Sequence, residues 1–310
     1  MTLLWILLGV TAGLAGLVLL TAYISFRITF YSRRKPAEEF AIPRGKIYEP
    51  YRDTMVNWMK ETRSFACEEV SITSFDGLTL RGKYYECRPG APIELMFHGY
   101  RGSAERDLCG GVQRCFALGR SALVVDQRAC GRSEGRVITF GINESRDCLR
   151  WVDFMIEHFG KDVRIILTGI SMGAATVLMA GGMDLPENVV GILADCGYTS
   201  AREIIHKVIR QINLPDRLLY PFVRLGARLY GRFDLEELSP LEAVQRCRVP
   251  VIFFHGESDD FVPCEMSREN FAACAAPKRL LTVPEAGHGL CYLVDGEGYL
   301  TALREFFGEK

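Results

Sequence analysis

The stretch Arg164-Ile165-Ile166-Leu167-Thr168-Gly169-Ile170-Ser171-Met172-Gly173-Ala174-Ala175-Thr176-Val177-Leu178-Met179-Ala180 decides the fold. Residues 164–168 form a short aliphatic run of the kind that makes a buried strand, and residues 172–180 carry a helical pattern. Between them Gly169-Ile170-Ser171-Met172-Gly173 matches G-x-S-x-G. A chain that passes from strand to helix within that span must turn sharply at Ser171, which holds its Oγ in a strained position and tolerates only small flanking residues. Gly169 and Gly173 supply them. The helix starting at Met172 also aims unpaired N–H groups and a positive dipole end at the same point, favouring negative charge there. A second match, Gly131-Arg132-Ser133-Glu134-Gly135, leads into Arg136-Val137-Ile138 instead of a helix, so Ser133 reads as a loop residue.

The same alternation extends in both directions. Residues 70–74 and 78–85 read as strands around the Asp76-Gly77 turn, a hairpin signal. Residues 93–97 form a strand running into His98-Gly99, and Ser103 caps a helix predicted to continue to about Leu118. Residues 122–125 are a strand ending at Asp126, followed after a loop by a helix over 144–159. Strands over 189–194, 249–254 and 280–283 come after the elbow, with a closing helix over 300–307. Short aliphatic strands separated by helices predict an α/β fold, a mostly parallel sheet covered on both faces and carrying an antiparallel edge. Residues from about 199 to 246 interrupt the alternation with helical patterns and read as a small cap over the C-terminal strand ends, where open α/β sheets bind ligands.

At the other end no charged side chain occurs from Met1 to Phe26. A helix needs about 20 apolar residues to cross a hydrocarbon core of ~30 Å, and a cleaved signal would carry a charge before a shorter apolar run. An uncleaved transmembrane anchor over 1–26 is predicted, with the body in the cytoplasm because Arg27, Arg33, Arg34 and Lys35 flank it. Residues 27–69 form a linker in which Tyr51, Met55, Trp58 and Met59 make the stripe of a short amphipathic helix that packs on the body. The domain proper is 70–310.

Composition supports a folded body and narrows its partners. Of 310 residues, 37 are Lys or Arg and 38 Asp or Glu, for a net charge of −1, so no nucleic-acid footprint exists. Apolar residues at 48% suffice for a core. Eleven scattered cysteines without C-x-x-C or zinc spacing signal neither a disulfide framework nor a metal site, and suit a reducing compartment. The cap is the exception in charge: seven basic residues against two acidic ones lie between Arg202 and Arg232, either a solvated face or one turned to anionic headgroups.

A serine hydroxyl needs a base, usually histidine. Five exist. His158 lies on a helix, His206 in the cap, and His98 and His255 end strands where they bond loop backbone; His288, in Glu285-Ala286-Gly287-His288-Gly289 after the last strand, is the candidate base. The base needs an acid to hold its tautomer. The loop Gly256-Glu257-Ser258-Asp259-Asp260 offers Asp259 as first choice, with Asp260 and Asp195 as alternatives.

The chain resembles the α/β-hydrolases, with Ser171, Asp259 and His288 in that family's order, and within it is similar to the membrane-anchored, serine-aminopeptidase-like (hydrolase-4-like) bacterial group. The resemblance covers nearly all of 70–307 and includes His98-Gly99 and the loop Asp126-Gln127-Arg128-Ala129-Cys130-Gly131-Arg132-Ser133-Glu134-Gly135, which departs from D-x-R-G-x-G-x-S-x-G at Ala129. It implies an oxyanion hole from the backbone N–H groups of Tyr100 and Met172, and cleavage of an ester, thioester or amide of a small or lipidic acyl substrate through an acyl-enzyme. No cofactor motif is present: neither G-x-x-x-x-G-K-[ST] nor G-x-G-x-x-G occurs. The competing readings are a hydrolase fold used only for binding and a membrane-tethered scaffold.

Overall fold

In the computed structural model residues 1–33 and 39–308 are described, so Arg34 and Lys35 of the basic flank lie outside the described residues. Eight strands form one sheet in the order β1-β2-β4-β3-β5-β6-β7-β8. β1 (Glu68–Thr73) and β2 (Thr79–Tyr85) are the antiparallel hairpin, and β2 pairs antiparallel with β4 (Ser121–Asp126). From there β3 (Ile93–Phe97), β5 (Ile165–Ile170), β6 (Val189–Asp195), β7 (Val251–Gly256) and β8 (Lys278–Val283) continue in parallel. β3, β4 and β7 are buried along their whole length, which is why they read as unbroken aliphatic runs and not as alternating ones.

The N-terminal helix α1 covers Thr2–Thr29, three residues past the anchor boundary of the sequence reading. It is long and apolar enough to cross a membrane, with a mean hydropathy of 2.5 over a window that is wholly unburied in the protein. Helix α2 (Arg52–Ser64) buries Met55 and Met59 against the body, and its Trp58 stacks on Tyr292 at 5.6 Å. That docking explains a difference from the sequence reading. The helix predicted over 103–118 is two pieces, α3 (Ala104–Asp107) and α4 (Gly111–Ala117), because Gly110 turns left-handed (φ +81°) to admit the indole; a Cβ there would sit 2.4 Å from Trp58 Cε3.

Helix α5 (Ile142–Phe159) packs Trp151 and Val152 into the core beside Leu95 and Leu167, and α6 (Met172–Gly181), buried throughout, fills the space behind the elbow. The cap comprises α7 (Ala201–Gln211), α8 (Asp216–Gly226), a π-helical turn (Ala227–Gly231) and α9 (Pro240–Val244). Its inner surface joins Phe26 and Phe30 of the N-terminal segment in one apolar cluster with Ile204, Tyr220, Val223 and Phe233. Helix α10 (Cys264–Ala273) precedes β8, and α11 (Cys291–Val294) and α12 (Gly296–Phe307) close the chain.

The loop after β4 shows what the Ala129 departure does. Ala129 is wholly buried and adopts φ +61°, the left-handed conformation that glycine takes without penalty and that costs other residues about 1–2 kcal/mol. Ala129→Gly is therefore expected to raise stability by up to about 1 kcal/mol, the methyl burial it gives up being the smaller quantity. A urea midpoint that falls instead would show the methyl contact to outweigh the strain.

Candidate active site

The elbow follows from two glycines that have no room for a side chain. A Cβ on Gly169 would lie 2.1 Å from the Gly173 carbonyl oxygen, and one on Gly173 would lie 2.1 Å from the Phe97 carbonyl oxygen. Squeezed between β5 and α6, Ser171 takes φ +57° and ψ −116°, and its N–H bonds the Asp195 carbonyl at 2.8 Å. Backbone strain of this kind, of order 1–3 kcal/mol, is found at functional sites where the surrounding structure enforces it.

The loops after β7 and β8 bring their side chains to this serine. His288 Nε2 lies 2.9 Å from Ser171 Oγ, and His288 Nδ1 lies 2.6 Å from Asp259 Oδ2. Asp259 is held on its other oxygen by the N–H groups of Phe261 (2.9 Å) and Val262 (2.8 Å). Burial works against its ionisation, yet bonds from His255 and His288, the charge of His288 and the Val262 N–H together hold the carboxyl far below the usual range. It is the acceptor-only group that would fix Nδ1–H and leave Nε2 facing the hydroxyl. Asp260 contributes its backbone carbonyl to Gln211 of the cap, and Asp195 is bonded to the Tyr299 hydroxyl at 3.1 Å. Of the three candidate acids, Asp259 is thus the one whose carboxylate meets His288.

The remaining histidines of the strand ends are occupied. His98 Nε2 accepts from the Gln127 N–H at 3.0 Å while its Nδ1 faces the Gly99 carbonyl; His255, wholly buried, meets the Val262 carbonyl and Ser267. Ser133 is buried in its loop, donating to the Asp126 carbonyl and accepting from the Arg81 N–H at 2.9 Å.

The loop after β3 carries features invisible in the motif. Residues 99–102 form a turn closed by Gly102 N–H to Gly99 C=O, with Arg101 at φ +52°. Gly99 faces the serine, a Cβ there falling 3.9 Å from Ser171 Oγ, and its N–H is taken by Asp107 at 3.1 Å. Beyond it the Tyr100 hydroxyl, pushed up to about 12 by burial and so protonated, donates to the Thr29 carbonyl at 2.6 Å, and the Arg101 guanidinium donates to the Ile28 and Tyr31 carbonyls. The end of α1 thus clasps the loop that holds Tyr100. On the opposite flank the Tyr48 hydroxyl donates to the His288 carbonyl at 2.9 Å. Sequence reasoning missed Asp107, Tyr48 and the α1 contacts, since none belongs to a motif.

Cys196 Sγ lies within 4.8 Å of ligand atoms of Asp259 and His288, a spacing that could hold a metal ion. Burial first, then the charges of Asp195 and Asp259, raise this thiol well above its usual value, so the thiolate a metal requires is disfavoured. A broad cleft is lined by residues 40–45 and 100–106, among others; Ser171, Asp259 and His288 are not among its walls.

The Alpha/beta hydrolase family model matches residues 95–302, and the chain belongs to that family. Among its relatives, uncharacterized protein YqkD of Bacillus subtilis (strain 168) is 26% identical over 190 residues, spanning 61% of this chain and 62% of YqkD, less than two thirds of that protein. Uncharacterized protein Rv2307c of Mycobacterium tuberculosis is 29% identical over 79% of this chain and 80% of its own. The Pyrococcus furiosus esterase Pf2001 has a similar fold, with a TM-score of 0.67, 23% identity and coverage of 81% of this chain and 94% of that one.

Proposed function

We propose that the protein is a serine hydrolase of acyl compounds, an ester, thioester or amide, tethered by α1 as a single span with its body on the cytoplasmic side. The observation that carries the catalytic part is the continuous hydrogen-bonded series Ser171 Oγ, His288, Asp259 at 2.9 and 2.6 Å. In this reading Ser171 Oγ attacks the acyl carbon as its proton passes to His288 Nε2. The oxyanion is met by the N–H of Met172, in the first turn of α6 where backbone donors have no intrahelical acceptor, and by that of Tyr100. His288 returns the proton to the leaving group, an acyl-Ser171 remains, and water activated by the same imidazole releases the acid and restores the hydroxyl. Orientation is supported by Arg27 in the last turn of α1 and Arg33 just beyond it. The Pyrococcus neighbour of the same fold is called an esterase, which makes an ester the first substrate to try.

The test is labelling with a fluorophosphonate, whose phosphorus is captured by an activated serine. One adduct per chain on the peptide holding Ser171 is expected. An unlabelled but folded protein would favour the binding-only or scaffold reading instead.

A further inference from the structure

The free part of α1 is too short to keep the cap away from a bilayer. Thr2–Leu20 is exposed throughout, burial begins at Thr21 and Ala22, and the Tyr230 hydroxyl donates to the Leu19 carbonyl at 3.2 Å. Tyr230 also packs on Tyr23 and Phe26 at 5.2 and 5.9 Å, and Gly226 of α8 comes so close that a Cβ would lie 2.4 Å from the Ala22 carbonyl oxygen. Those 19 exposed residues rise about 29 Å at ~1.5 Å each, just matching the ~30 Å of a hydrocarbon core. A span that is used up where the cap packs on it leaves no spacer, which sets the adjoining part of the body at the lipid interface.

The adjoining part is apolar. Among the described residues, eight large hydrophobic side chains outside residues 1–29 are exposed, and five of them, Ile212, Leu214, Leu218, Leu229 and Tyr230, belong to α8 and its two ends. Exposed apolar side chains gathered in this way mark interaction surfaces, and Tyr230 joins this group to α1. The basic excess of the cap does not explain it: Arg210 pairs with Asp216 at 2.8 Å, Arg224 with Glu236 at 2.8 Å and Arg228 with Asp234 at 2.6 Å, partly with acids just beyond the window that showed the excess.

We infer that this face of the cap is immersed in the lipid interface by apolar burial, and that the site takes its acyl substrate from the lipid phase; the second clause rests on the hydrolase reading. Two links couple the site to α1 and to the cap. The Tyr100 hydroxyl is bonded to Thr29 of α1, and Lys207 and Gln211 of α7 donate to carbonyls of Asp260 and Phe261, whose ring lies edge-on to His288 at 5.1 Å.

The test uses the full chain in vesicles of phosphatidylcholine, with and without phosphatidylglycerol, carrying a benzophenone amino acid at Leu218 or Leu229, and at Val18 and Asp153 as controls. Lipid adducts are expected from Leu218, Leu229 and Val18 in both lipid mixtures and at high salt, and none from the exposed α5 residue Asp153. Adducts from Val18 alone, adducts that require phosphatidylglycerol and vanish in salt, or crosslinks to a second copy of the chain would each overturn the immersion. For substrate, the double variant Leu218→Asp/Leu229→Asp is expected to lose about tenfold in turnover of a vesicle-embedded acyl ester while keeping that of a short soluble ester. Equal loss on both overturns the lipid-phase clause. Lipid adducts without any fluorophosphonate labelling would leave the immersed cap standing and remove the hydrolase reading.

Discussion

Ser171→Ala is expected to lower kcat on a short-chain ester by about 10⁶-fold, and His288→Ala by a similar factor, with the double variant no worse than either. The two act as a unit: without Nε2 at 2.9 Å the hydroxyl keeps its proton, and without the hydroxyl the imidazole has nothing to activate. Asp259→Asn should cost about 10⁴-fold, since an amide can donate where the carboxylate only accepts and so permits the wrong tautomer. Asp260→Asn should change little, because the cap uses the Asp260 carbonyl and not its side chain. Ser133→Ala should leave turnover intact and cost about 1 kcal/mol of stability through its bonds to Asp126 and Arg81. Steady-state kinetics beside far-UV circular dichroism separates these outcomes. A folded Ser171→Ala protein that keeps more than about a tenth of the activity would move the nucleophile elsewhere.

Glu94→Ala is expected to destabilise the fold by about 3–5 kcal/mol, a large part of the ~5–15 kcal/mol typical of a domain. Glu94 lies on β3 in the middle of the sheet, wholly buried, where Arg114 of α4, Arg120 (2.6 Å) and the Thr168 hydroxyl (2.9 Å) surround its carboxylate. Burial opposes its charge, but the two guanidinium groups prevail and the folded-state pKa is lowered. Removing the carboxylate leaves two cations facing each other in the core. The pH dependence has a definite sign: a depressed carboxyl pKa gives stability that is present above the unfolded value of about 4.3 and is lost as pH falls below it. The gap between native and variant urea midpoints, measured on the full chain in detergent, should accordingly be wide at pH 7 and narrow in acid. A gap that stays constant with pH would assign the loss to packing and not to charge.

Much of this molecule is written in short-range pattern. The elbow at Ser171, the hairpin at Asp76-Gly77, the aliphatic runs of β3 to β7 and the apolar stretch of α1 depend on backbone periodicity and on sterics within a few residues, and those are legible in a single chain. The left-handed turn at Ala129 lies where the family loop has glycine, so even that departure was visible as a position, though not as a strain.

Tertiary structure decided whatever depends on partners far apart in the chain. Asp259 and Asp260 are neighbours with identical side chains; which of them serves is decided by the arrival of His288, 29 residues away, at the Asp259 carboxylate. Gly110 breaks the predicted helix because Trp58 arrives from the linker, an event no local propensity encodes. The cap looked strongly basic within residues 202–232, yet Asp234 and Glu236 fold back to pair with Arg228 and Arg224, while Leu218, Leu229 and Tyr230 remain exposed beside them. Most consequential, the carbonyls at and just beyond the end of α1 accept bonds from Tyr100 and Arg101 across 70 or more residues, joining the N-terminal helix to the loop beside Ser171. Periodicity tells a segment which of its faces is apolar; which neighbour covers that face, and which carbonyl a distant hydroxyl reaches, is settled only when the whole chain packs.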